Sequence, residues 1–165
     1  MKKHNRTFFA VLLLATIVCF AQSGKDQKDS GHAIVTPGQA QWQPAGPPLP
    51  PGAQVAVLDG DPSQPGTQYS IGLKMPAGYK IPPHWHPMDA SVVVVKGTFV
   101  MGLGEKVDRN QGHELSAGSF MRMSKGVRHF EWTKGETIIY VYGAGPLDTI
   151  YVNPNDDPRQ KGGSK

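Results

Sequence analysis

From Ala53 onward, short apolar runs alternate with clusters of turn residues. Residues 55–58 form the first run, and Asp59-Gly60-Asp61-Pro62 ends it. Residues 69–75 form the second, closed by Pro76-Ala77-Gly78. Residues 91–96 contain four consecutive valines and stop at Gly97; residues 98–103 follow at once, which predicts a tight hairpin. Runs at 119–123, 129–133, 137–142 and 149–152 complete the series. Short runs punctuated by glycine and proline predict an all-β sandwich or barrel. No window of about eleven residues beyond the N-terminal region carries a helical period. The valine run is apolar at both parities, which predicts a strand covered on both faces.

The flanks read differently. Residues 36–52 hold Pro37, Pro44, Pro47, Pro48, Pro50 and Pro51. That density favours extended backbone and excludes helix. Trp42 and Leu49 are the only large apolar groups there. The segment reads either as an arm packed across the domain or as a plain stalk. Residues 22–33 are polar and aperiodic, the composition of a disordered stretch. Lys2, Lys3 and Arg6 precede an apolar run over residues 8–20, the pattern of a secretory signal cleaved before Gln22. The run falls short of the roughly 20 residues that span a bilayer, so no stable span is expected after cleavage. The expected organisation is a signal at 1–21, a disordered and proline-rich arm at 22–52, one β domain at 53–152 and a polar, frayed tail at 153–165. A periplasmic or secreted location follows from the leader.

Charge and cysteine narrow the chemistry. The formal charge is +4, from 17 basic and 13 acidic residues. Three of the basic residues and none of the acidic ones lie in the leader, so the rest is nearly neutral. No basic stripe with interleaved aromatics is present, which argues against nucleic acid as a partner. The single cysteine, Cys19, belongs to the leader. The domain therefore has neither a disulfide nor a thiolate, and any metal ligand must be histidine, carboxylate or water.

His84 and His86 supply the chemistry that remains. Residues two apart on a strand point to one face, so His-x-His aims both imidazoles at one spot. His129, on a later strand, can stand beside them. Three neutral imidazoles suit a divalent transition metal such as zinc, iron, manganese, nickel or copper. His32 and His113 lie in polar segments and read as solvated. Counting strand parity from these histidines suggests a pocket lined by Met101, Met121, Met123, Tyr140 and Tyr142, with Tyr79 and Lys80 at its mouth. Methionine and aromatic groups make an adaptable apolar lining.

The spacing Gly78–x5–His84–x–His86, with Gly97 beyond, resembles the first motif of the cupin superfamily. Gly118, Gly126 and His129 resemble the second, with Ser124 in place of its proline and Thr133 in place of its asparagine. The chain is also similar to small secreted single-domain cupins that end in Tyr-Val-Asn-Pro, here Tyr151 to Pro154. The resemblance implies an antiparallel jelly-roll β-barrel with a metal held by His84, His86 and His129. It also implies a glutamate ligand, but Ala90 and Ser91 occupy the positions where that residue falls. Three replacements are open: Glu131, two residues beyond His129 and of the same parity; Asp89, if a bulge at Pro87 turns it inward; or water. The expected function is an exported metal-binding cupin acting on an unknown small molecule. The alternative is a non-catalytic module: an apo-cupin, a sensor or a storage protein. The cupin part of zinc-binding anti-sigma factors is similar as well, although the leader argues against that role. A homodimer is a further expectation for a barrel with an apolar arm.

Overall fold

The computed structural model describes residues 31–161. The chain divides into two units, residues 1–32 and 33–165, and nearly all described residues lie in the second. The expected signal at 1–21 and most of the polar stretch after it lie outside the described residues. Among the described residues, no helix is long and apolar enough to cross a membrane.

Eleven strands are described: β1 (Gln43–Pro44), β2 (Gln54–Gly60), β3 (Gln68–Met75), β4 (Lys80–Trp85), β5 (Ala90–Lys96), β6 (Thr98–Leu103), β7 (His113–Ser116), β8 (Phe120–Met123), β9 (His129–Thr133), β10 (Thr137–Ala144) and β11 (Ile150–Tyr151). They form two antiparallel sheets, ordered β1-β2-β3-β10-β5-β8 and β11-β4-β9-β6-β7. This is the expected jelly roll. β10 is the spine of the larger sheet, pairing with β3 from Thr137–Met75 to Ala144–Gln68. The expected hairpin between β5 and β6 does not form: at Gly97, whose φ of 80° suits glycine, the chain crosses from the larger sheet to the smaller, where β6 pairs with β7 and β9 instead. A Cβ there would stand 2.3 Å from the Glu136 carbonyl oxygen.

The core lies between the sheets. Ile71, Leu73, Val92, Val94, Ile139 and Val141 come from the larger sheet, and Ile81, Phe99 and Tyr151 from the smaller. Alternation along β10 is strict: Thr137, Ile139 and Val141 are buried, whereas Tyr140 and Tyr142 point away from the core. β5 alternates too. Its Val92 and Val94 are buried but Val95 is 42% exposed, so this strand is covered on one face rather than both.

Three strands were not visible as apolar runs, the shortest being the two-residue β1 in the arm. β4 contains Pro82 and Pro83, and β7 is mostly polar. β4 tolerates its prolines because they sit at an irregularity. Pairing with β9 runs Ile81–Glu131 and then His84–His129, so β4 carries one extra residue between them. The bulge resets parity, and Ile81 and His84 both face inward although three residues apart.

The proline-rich arm packs on the domain. β1 pairs with β2 at Gln43–Val55 and Pro44–Gln54. The Tyr79 and Tyr151 hydroxyls donate to the carbonyls of Pro50 and Pro48. Trp42 lies over Gly72 on the outer face of the larger sheet, where a Cβ would approach its ring to 2.8 Å. Tyr140 flanks the same spot, and the Lys74 ammonium sits 4.5 Å from the ring centre. Residues 153–161 of the tail carry local structure. Asn153 caps a 3-10 turn at Pro154–Asp156, and a short helix follows at Pro158–Lys161. Arg159 fastens the segment by pairing with Asp157 and with Asp148.

Candidate metal centre

The β4 bulge and the β4–β9 register bring the three histidines together. His84 is the direct cross-strand partner of His129. His86 follows two residues later, just past β4, with its parity kept. The turn ahead of β9 is tied to it: the Gly126 N–H donates to the His86 carbonyl at 2.9 Å. Gly126 has φ 75°, a conformation that few side chains tolerate. Ring centres stand 4.3 Å apart for His84 and His129, 5.0 Å for His84 and His86, and 5.1 Å for His86 and His129. One ring nitrogen from each histidine lies within 4.8 Å of the others, and all three residues are buried.

Backbone carbonyls set the tautomers. Nδ1 of His84 faces the Pro82 carbonyl oxygen at 2.8 Å, that of His86 faces Asp148 at 2.6 Å, and that of His129 faces Val127 at 2.9 Å. A carbonyl can only accept, so each Nδ1 carries the proton and each Nε2 keeps its lone pair. Burial holds all three imidazoles below their usual pKa, His84 furthest, with its two histidine neighbours adding to the effect there. They are neutral ligands at neutral pH. Nε2 of His129 is buried and has no hydrogen-bond partner. A buried acceptor left unpaired is costly, and a bound cation would satisfy it.

Glu131 stands beside the three histidines. Its side chain is 6% exposed, with Oε1 3.7 Å from Nε2 of His129. That distance is too long for a hydrogen bond. It is not an ion pair either, because His129 is neutral. Burial pushes the Glu131 carboxyl up to about 7, against the opposing pull of His86. The residues thus fit a divalent metal: three convergent imidazole lone pairs with a carboxylate beside them.

Asp89 does not join them. Its carboxylate is at the surface, paired with Arg122 and accepting from the Lys125 N–H at 2.8 Å. The bulge falls at Pro82–Pro83 and not at Pro87, so Asp89 is never turned inward. Ala90, at the position of the motif glutamate, is buried opposite Met123. Thr133, in place of the motif asparagine, ties the two motifs together. Its hydroxyl donates to the Pro76 carbonyl and accepts from the Tyr79 N–H.

A cavity of about 270 Å³ opens beside the centre, with His86 and Glu131 in its wall. Aliphatic residues of the larger sheet line most of it, joined by Leu49 of the arm and by Leu147, Asp148 and Thr149. Of the five expected lining residues, only Met123 is there. Met121 is buried in the core and Met101 packs against it. Tyr140 and Tyr142 face outward, because β10 buries its odd-numbered residues. Tyr79 is buried under the arm, not at a mouth, and Lys80 is exposed. His113 is exposed on β7. Sequence reasoning missed Leu49, Asp148 and Arg159. Leu49 alone carried a signal, as an apolar residue isolated among prolines.

The fold recurs in solved structures. The polyketide cyclase RemF from Streptomyces resistomycificus superposes with a TM-score of 0.61 at 16% identity, over 81% of this chain and 94% of that one. A putative acetylacetone dioxygenase from Methylibium petroleiphilum PM1 gives 0.58 at 22% identity, over 77% and 85%. An RmlC-like cupin from Ralstonia eutropha JMP134 gives 0.57 at 21%, over 75% and 74%. These likenesses concern the fold. No curated protein matches the chain. The family profile described as the ChrR cupin-like domain matches residues 30–148, arm included. With both cupin motifs in register and the jelly roll in place, the chain belongs to the ChrR cupin-like domain family.

Proposed function

We propose that this protein is a metal-dependent cupin that acts on a small molecule held in the barrel. The observation that carries the reading is the convergence of three Nε2 lone pairs, one of them orphaned, beside a buried glutamate and an apolar cavity. His84, His86 and His129 would hold the ion, with Glu131 as fourth ligand. When bound, a divalent metal supplies Lewis acidity at its open coordination positions. The protein's own contribution is to orient the imidazoles through their Nδ1–H donations and to keep Glu131 where it can ligate or carry a proton. The aliphatic wall excludes water.

Metal analysis of untagged protein tests this. About one ion per chain is expected, with rebinding after chelation and loss in His129→Ala. Less than about a tenth of an ion, with no rebinding, removes the metal centre.

A binding module without turnover is the second reading. It is favoured if Glu131 is held by the metal, because the cavity's other carboxylate, Asp148, is committed to Arg159. The leader at residues 1–21 supports an exported location. A mature N-terminus at Gln22 would bear that out, and retention of Lys2 in the purified protein would count against it.

A further inference from the structure

The cavity beside the centre is aliphatic over most of its wall, formed by Ile71, Leu73, Val92, Ile139 and Val141 with Leu49 of the arm. Among the described residues no lysine or arginine lines it, so they supply no fork that clamps phosphate. Nor does any described asparagine or glutamine. Sugar hydroxyls placed there would lose their water and find few partners. Apart from the hydroxyls of Ser63 and Thr149, the polar side chains are His86, Glu131 and Asp148. Asp148 is engaged by Arg159 at 2.9 Å and by the Thr149 N–H at 2.8 Å. With Asp148 held by Arg159 and the Ser63 hydroxyl donating to Asp61, the lining's main polar station is at His86 and Glu131, with the Thr149 hydroxyl beside an otherwise hydrocarbon wall.

We propose that the cavity takes a short, mostly aliphatic molecule with a single oxygen head group, the head at His86 and Glu131 and the body along Ile71, Val141 and Leu49. The chemistry of the head rests on the metal-centre reading; the selection for a hydrocarbon body does not.

Titration of linear primary alcohols from propanol to octanol into methyl-labelled protein, metal-loaded and chelated, tests it. Xylitol, with the carbon count of pentanol, is the polyol comparison. Saturable shifts of the Leu49, Ile71 and Val141 methyls are expected. Affinity should rise about fourfold per methylene until the cavity is full. Xylitol should give no saturable shift. A flat dependence on chain length, or xylitol binding as well as pentanol, overturns the proposal. Leu49→Trp should weaken hexanol binding about tenfold or more by filling the space, and Ile139→Phe is a second obstruction if the first fails to fold. A folded obstructed variant with wild-type affinity would place the binding elsewhere and overturn the proposal. Alcohol binding without metal uptake would remove the metal reading and leave this one standing. Metal uptake without alcohol binding would do the reverse.

Discussion

Glu131 carries opposite consequences with and without metal. In the metal-free protein its folded-state pKa, about 7, stands above the ordinary 4.5. The folded state therefore binds the extra proton between these values. The contribution to stability is present below pH 4.5 and is lost as pH rises through about 7. Replacing the group with neutral glutamine should remove that loss. Chelated Glu131→Gln should gain on the wild type between about pH 5 and about pH 8 by up to about 3 kcal/mol, read from urea unfolding. In the presence of metal the same substitution would remove the proposed fourth ligand and should weaken affinity. A parallel pH dependence of the two chelated proteins would show that Glu131 is not held protonated by burial.

At the element scale, the segments flanking the barrel do more than close it. The Asp148 carbonyl that orients His86 lies in a stretch clamped by Arg159, whose guanidinium also donates to the Thr149 carbonyl at 2.9 Å. Partners that orient a ligating histidine commonly change metal affinity 10- to 100-fold when lost. Arg159→Ala should thus weaken cobalt binding about tenfold and alter the visible spectrum of the cobalt-loaded protein, although Arg159 touches no ligand. An unchanged spectrum and affinity would mean that the tail only packs. The arm is held by β1, two tyrosine hydroxyls and Trp42. Trp42→Ala should cost about 1–3 kcal/mol and open residues 36–52 to limited proteolysis. Most strands were legible because they alternate between buried and exposed positions. β4 was not, since its prolines mimic a loop and its bulge breaks the period. The tyrosines of β10 were misplaced for a related reason: parity fixes which residues share a face, but not which face is the inner one.

For the whole molecule, the proposed metal binding would be one equilibrium with folding, because the three histidines converge only after β4 and β9 pair. Metal at about 100 times its Kd should raise stability by about 2.7 kcal/mol, seen as a higher melting temperature that chelator reverses. Acid should erase this. The folded pKa values of the three histidines are depressed below 6.5, so their contribution is present above pH 6.5 and is lost as pH falls. Protons also compete with metal for the imidazoles. A metal-induced melting shift that persists undiminished at about pH 5 would contradict ligation by histidine.

The sequence by itself determined the all-β class, the register of the two motifs and the identity of the three histidines. Each is a local property, set by alternation, turn glycines and spacing along one strand. Only the tertiary structure decided that Glu131 stands by the centre while Asp89 pairs with Arg122 at the surface. The same holds for the proline-rich arm as a wall of the cavity and for the Asp148 carbonyl that orients His86. Those outcomes depend on a bulge, on the choice of inner face and on contacts between residues as far apart as His86 and Asp148 or Pro48 and Tyr151. Side-chain type along the chain encodes none of them.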